Sequence, residues 1–334
     1  MKYPDKKVTF YLLTLLLSTT AQAGHIHERP DAHAPAGIMG DHVMDENEVM
    51  LSYRYMTMTM DGNLNGTHSV PTPLPGFMVS PLSMDMKMHM FGIMYAPAKK
   101  LTLSLMTSIL SLSMDHRVNM NNAEFTTESR GTGDINIAAI YQLASTSDTN
   151  LLLNFSLGIP NGSIDEKDIT PASNGTPVQL PYPMQTGSGS YSITPGLTYS
   201  HTYTTWSWGA QGLYKYYINT NDNAYKLGNR IDISGWVAKN LNHSFSLSFR
   251  LNTLDWDNIG GADKKLSPAP TLPTKNPELR GGSRMDALIG VNYVAHELNE
   301  IRFSMEIGTP VYQNLNGPQL KTDLLFTLGA QYVF

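Results

Sequence analysis

Apolar and polar residues alternate with a period of two in about twelve segments of this chain, and few folds accept that pattern. The last segment shows it best. One parity carries Leu324, Phe326, Leu328, Ala330, Tyr332 and Phe334; the other carries Asp323, Leu325, Thr327, Gly329, Gln331 and Val333. Residues two apart share a strand face, so the first set is apolar and ends in aromatics while the second is mixed and polar. Val49, Leu51, Tyr53 and Tyr55 divide in the same way from Met50, Ser52, Arg54 and Met56, as do Leu101, Leu103, Leu105 and Ile109 from Thr102, Ser104, Met106 and Ser108. Similar faces recur over 191–199, 206–214, 245–251 and 301–307. Apolar outward to lipid and polar or small inward to a lumen is the pattern of a transmembrane barrel. The expectation is an all-β, antiparallel barrel of about 12 strands, an even number as bacterial single-chain barrels require.

The start of the chain reads as an export signal. Lys2, Lys6 and Lys7 precede an apolar stretch from Val8 to Leu17, and Ala21-Gln22-Ala23 is a small-x-small cleavage site. Cleavage is expected after Ala23, so residues 1–23 are read as a signal peptide. No later apolar run approaches the roughly 20 residues of a membrane helix, so any crossing must use strands. With no Cys, neither a lipidated N-terminal cysteine nor a disulfide is open to this chain. A formal net charge of −5 gives no case for nucleic acid as a partner, and no cofactor is called for.

Connections between the alternating segments sort into short ones at 97–100, 144–149, 201–204, 239–243 and 295–299, and long ones at 61–83, 117–130, 161–187, 219–229, 253–283 and 309–321. Strict short-long alternation is what periplasmic turns and extracellular loops require. Residues 48–334 are therefore read as an outer-membrane barrel in contact with lipid. Residues 24–47, which hold Pro30, Pro35 and several His but no alternation, are read as a periplasmic extension with little regular structure. The terminal Tyr332 and Phe334 resemble the signal recognised by the outer-membrane assembly machinery.

The stretches His33-Ala34-Pro35-Ala36-Gly37-Ile38-Met39-Gly40-Asp41-His42, Leu51-Ser52-Tyr53-Arg54-Tyr55-Met56, Met88-His89-Met90-Phe91-Gly92, Phe125 to Ser129 with Gly131 to Asp134, and Gly158 to Ser163 carry a resemblance. Together they resemble the outer-membrane transporter-like proteins grouped with the meta-pathway phenol-degradation family. That resemblance implies a barrel and passage of small hydrophobic or aromatic compounds. It carries no binding motif onto residues of this chain.

Methionine is the compositional anomaly, with 19 residues in the chain, among them two clusters at Met56, Met58 and Met60 and at Met84, Met86, Met88 and Met90. Parity points both clusters inward with Met50, Arg54 and Met94, and gives Met106, Met114 and His116 the same lumen face. Thioether sulfur is a soft ligand for Cu(I) or Ag(I), so the ladders could pass a soft metal ion. They could equally line a path for hydrophobic solutes or fill a narrow interior, since Met occupies irregular gaps. His25, His27, His33 and His42, with Met39, are candidates for a metal-capturing arm, although their spacing matches no closed site. A structural or adhesive barrel stays open. Lipid hydrolysis is disfavoured, because His116 and His201 fall at opposite strand ends and no Ser elbow accompanies either. The assembly reading is testable: deleting Phe334 should leave export intact yet lower the amount of heat-modifiable, folded protein in the outer membrane, and normal insertion of the truncated chain would count against it.

Overall fold

A computed structural model describes residues 29–266, 271–298 and 300–334. The expected signal peptide, together with His25 and His27, lies outside them. In chain order the strands are β1 (Val49–Gly66), β2 (His68–Val70), β3 (Val79–Ala98), β4 (Leu101–Val118), β5 (Glu124–Thr132), β6 (Ile135–Ser145), β7 (Thr149–Ile159), β8 (Lys167–Asp168) and β9 (Val178–Gln179), then β10 (Ser192–Thr202), β11 (Trp206–Tyr217), β12 (Tyr225–Lys226), β13 (Arg230–Asn240), β14 (Phe245–Trp256), β15 (Gly260–Gly261), β16 (Gly282–Ala295) and β17 (Ile301–Val333). The described residues contain short 3-10 turns and no α-helix.

The wall runs β1, β3, β4, β6, β7, β10, β11, β13, β14, β16, β17 and returns from β17 to β1, each neighbour antiparallel. β5 pairs with the upper half of β4 and β6 with its lower half, so the two form one interrupted pass. Eleven elements cannot close an all-antiparallel ring, because direction must alternate around it. β17 resolves the conflict. It pairs with β16 from Ile301 opposite Ala295 to Leu315 opposite Gly282, and with β1 from Leu315 opposite Gly66 to Val333 opposite Met50. Leu315 therefore lies at one end, and Ile301 and Val333 at the other. The element folds into two arms, bridged where Thr322 N donates to Gln313 Oε1 and Gln313 Nε2 donates to Thr322 O, both at 2.8 Å. The expected strand number of about 12 is reached only because this last element makes two passes.

Two segments expected as long loops, 117–130 and 309–321, are largely strand. In 309–321 a register shift at Val311 breaks the period, and for 117–130 the reason is visible on the outer face. Thr57, Thr59 and Asp61 on β1, Asp85, Lys87 and His89 on β3, and Ser111, Ser113 and Asp115 on β4 break the apolar alternation while the ladder continues. β1, β3 and β4 hold 18, 20 and 18 residues, against the roughly 9–11 that a crossing takes. In a bilayer their polar-faced upper parts would project into water. Below them Leu103, Leu105, Phe155, Leu197, Val237, Phe249 and Ile289 are exposed on the outer wall, an apolar band that lipid would cover. Aromatic pairs gather near the short-turn end, with ring centroids 4.3 Å apart for Tyr203 and Trp206 and 4.5 Å for both Phe245 with Tyr293 and Tyr332 with Phe334.

The segment read as a periplasmic extension needs a correction. From Arg29 to Met44 it does not stand away from the barrel; it lies inside, against the inward side chains of the wall. Hydropathy could not show this, because the partners of this segment are polar groups on strands far away in sequence.

Candidate functional site: the plugged lumen

Period two sends Ser, Thr, Asn, Gln and Arg into the lumen whenever apolar residues go outward, and those groups require partners. The backbone of the N-terminal segment supplies them. Arg302 Nη2 donates to the carbonyl of Arg29 at 3.2 Å, Ser246 Oγ to Pro30 at 3.0 Å and Ser207 Oγ to Asp31 at 2.8 Å. Arg54 Nη2 donates to Ile38 at 3.1 Å, Gln211 Nε2 to Met39 at 2.8 Å and Asn154 Nδ2 to Gly40 at 2.7 Å. In the reverse sense Met44 N donates to Thr102 Oγ1 at 2.9 Å. Irregular backbone at membrane depth is tolerated where protein polar groups surround it, and each such bond is worth about 0.5–1.5 kcal/mol net. The segment is a plug held from most sides of the wall.

Its tip rests on a buried ion pair. Arg250 Nε and Nη2 donate to Glu306 Oε1 and Oε2, both at 2.8 Å, and Gly37 N donates to the same Oε2 at 3.0 Å. A Cβ at Gly37 would lie 2.2 Å from Arg250 Nη2, so any side chain there would have to displace this pair. Gly40 has φ of +69° and would set a Cβ 2.6 Å from Asn154 Nδ2, so this position favours glycine. Where the plug leaves the lumen, Met44 packs with Met50, Met94, Ala96, Ile140 and Leu152 in an apolar seal.

Two histidines and a carboxylate meet within the plug. Asp41 Oδ1 is 2.9 Å from His42 Nδ1, Asp41 Oδ2 is 3.6 Å from His33 Nδ1, and Ala34 N donates to Asp41 Oδ2 at 2.8 Å. Burial alone would raise the Asp41 carboxyl, but the neighbouring His42, by charge and hydrogen bond, and the Ala34 N–H hold it below the usual carboxylate range. Of the residues singled out in sequence as metal ligands, His33 and His42 come together here. Met39 does not join them; it gives its carbonyl to Gln211, and its side chain borders the chamber above.

Of the lumen-lining candidates, Arg54 meets the plug and Met50 and Met94 join its seal, while the two Met ladders continue along β1 and β3. Met56 stands opposite Met88, Met58 opposite Met86, and Met60 opposite Met84, which in turn faces Met114. Met90 lies opposite Arg54 and Met106 opposite Gly92. His116 is buried near the long-loop end, stacked on Phe125 with centroids 4.9 Å apart and 3.0 Å from Thr127 Oγ1. His201, bonded to Thr149 Oγ1, belongs to the far end. Sequence reasoning missed a second closure. Leu180 and Met184, from the aperiodic connection 160–191, pack onto Met84, Leu112 and Met114, and Ser129 Oγ donates to the carbonyl of Met184 at 2.7 Å.

Against the plug lies a chamber of about 290 Å³ bordered by Met39, Met90, Met94, Met106, Asn136 and Lys215. A vestibule of about 870 Å³ opens toward the short turns, beside Gln142, Asp148 and Tyr203. Asp41 and His42 border both, which places them in the partition. Gly37→Ala should lift the plug tip from Glu306 at an overpacking cost of about 1–3 kcal/mol. Planar-bilayer recordings should then show larger or more frequent openings from a normally heat-modifiable barrel; wild-type conductance would refute the plug as the closure.

No family model matches the chain, and no curated protein matches it. Among solved structures, the COG4313 outer membrane channel from Pseudomonas putida F1 superposes with a TM-score of 0.61 at 15% identity, covering 88% of this chain and 98% of that one. The transport unit of the autotransporter AIDA-I from Escherichia coli gives a TM-score of 0.47 at 10% identity over 89% and 94% of the two chains. The TodX monoaromatic hydrocarbon channel gives 0.42 at 11% over 91% and 92%. The first of these likenesses, at such low identity, speaks for the fold alone: the chain has the fold of an outer-membrane barrel.

Proposed function

We propose that this protein is an outer-membrane channel for small molecules, gated by its plug, with compounds of hydrophobic or aromatic character as cargo. The observation that carries the reading is the chamber that the plug borders inside the wall. A dry apolar cavity of roughly 150 Å³ takes up benzene, so about 290 Å³ has room for a single substituted ring. Met90, Met94 and Met106 offer polarizable apolar contacts, and Arg54, Asn136 and Lys215 offer a few polar ones. The family resemblance of the sequence points the same way. In this reading the short turns face the periplasm, the long connections face outside, and a tag inserted at Lys264 should be reached by antibody on intact cells while one at Lys100 is not. Labelling at Lys100 would invert the barrel.

Passage of a soft metal ion along the Met ladders is the competing reading. It is opposed by Arg284, which is paired with Asp286 at 2.9 Å and whose Nη1 lies 3.6 Å from Met58 Sδ, so that this thioether already has a hydrogen-bond donor. Replacing Met56, Met58, Met86, Met88 and Met90 with Leu roughly conserves volume, at under about 1.5 kcal/mol per site. The barrel should fold, uptake of small aromatic compounds should stay near wild type, and copper and silver sensitivity should not move. Ala138→Trp, which fills the chamber, should instead lower aromatic uptake several-fold. Altered metal sensitivity with unaltered aromatic uptake in both variants would replace this function with the metal one.

A further inference from the structure

The nearest approach to a metal centre among the described residues is inside the plug, away from the Met ladders. One donor atom each from His33, Asp41 and His42 lies within 4.8 Å of the other two, and the imidazole rings meet edge-on with centroids 4.1 Å apart. A tetrahedral ion with bonds of about 2.0–2.1 Å sets its ligands about 3.3 Å apart. Asp41 Oδ1 lies 2.9 Å from His42 Nδ1 and Asp41 Oδ2 3.6 Å from His33 Nδ1, and with donor atoms of all three within 4.8 Å of one another the side chains need move little to reach that spacing. Two imidazoles with one carboxylate suit zinc, copper(II) or nickel; calcium and magnesium prefer all-oxygen shells. The Ala34 N–H that donates to Asp41 supplies the outer-shell support that orients a ligating carboxylate.

Position adds to chemistry. His33 and the Asp41-His42 pair are the two feet of one loop, whose tip Gly37 reaches Glu306 and whose Ile38, Met39 and Gly40 carbonyls are held by the wall. All three side chains belong to the plug and none to a wall strand, so an ion there acts on the closure without touching the ladder. Asp41 and His42 border both cavities, which leaves room for water at an open coordination position.

We propose that His33, Asp41 and His42 bind one divalent late transition-metal ion of the zinc and copper class, and that this ion fastens the loop 33–42 in its closed place. The ion is resident rather than cargo. Because it binds the docked loop and not the released one, it shifts the plug toward closure by mass action. The inference stands apart from the identity of the transported molecule.

The test uses the full mature barrel in detergent, stripped by chelator, with heat-modifiable mobility as the check of folding. After dialysis against zinc chloride, mass spectrometry should count one zinc per barrel. His33→Ala/His42→Ala should lower zinc affinity by a hundredfold or more, and His25→Ala/His27→Ala should leave it unchanged. Copper(II) in the same site should show nitrogen hyperfine coupling in its electron paramagnetic resonance spectrum. The chain lacks cysteine, so Gln211→Cys, under the Met39 carbonyl, reports plug release by its maleimide labelling rate. Zinc should slow that labelling several-fold relative to chelator, and should have no effect when the His33 and His42 substitutions are added. Absence of bound zinc in folded wild type, binding undiminished by the double substitution, or binding lost with His25 and His27 would each overturn the site. Stoichiometric zinc with labelling unchanged would overturn the fastening role.

Discussion

Hydrocarbon offers no partner to a backbone N–H or C=O, and each one left unpaired in a membrane costs several kcal/mol, so a strand-built wall must close on itself. In this chain closure is made where the second arm of β17 meets β1, in an unbroken register from Val333 opposite Met50 to Leu324 opposite Thr59. Phe334 N completes it by donating to the carbonyl of Val49 at 2.8 Å. The doubled β17 is part of the same constraint, since only an even number of alternating passes can leave no edge.

Closure then dictates the interior. An apolar outer band forces the alternate residue of every strand inward, and in this sequence that residue is often Ser, Asn, Gln, Arg or Glu. Such groups are costly when desolvated without partners. A segment of irregular backbone, rich in carbonyls unused by any ladder, is their complement. The plug and the wall therefore satisfy one another: Thr198 Oγ1 donates to Asn154 Oδ1 and Gln211 Nε2 to Thr198 Oγ1, a small network that holds the two side chains receiving Met39 and Gly40. The buried Arg250 and Glu306 pair gives the plug its deepest anchor. Breaking such a pair by removing one partner leaves an uncompensated charge, at about 3–5 kcal/mol.

The wall is uneven in height, and this explains the methionines. β1, β3 and β4 rise beyond the lipid band, where the outward residues become Thr, Ser, Asp, Lys and His while the inward ones stay apolar. Inside this taller part there is no plug backbone to satisfy polar groups. Met fills the space because its flexible side chain fits irregular gaps, and it receives Leu180 and Met184 of the long connection as a cap. The barrel is thus polar and plugged toward one end and apolar and capped toward the other, with the chamber against the plug.

The period-two pattern in segments such as 101–109 and 245–251 determined the β class, the faces of each strand and hence the inward parity of Met56, Met58, Met86 and Met88, because side-chain direction along a strand is a local property of the chain. The pairing of those ladders followed from their being consecutive antiparallel strands. Where the outward face turned polar, over 111–118, and where a register shift at Val311 broke the period, alternation stopped being legible although the hydrogen-bond ladder went on. Nothing local in 29–47 signalled a plug, since Gly37 and Gly40 take their meaning from Arg250, Glu306 and Asn154, residues more than a hundred positions away. Likewise His33 and His42 were visible as histidines, but their meeting with Asp41 depends on the loop between them being held by the wall. Strand identity is written residue by residue; the contents of the lumen were decided only when the ring closed and brought polar groups of distant strands around one stretch of backbone.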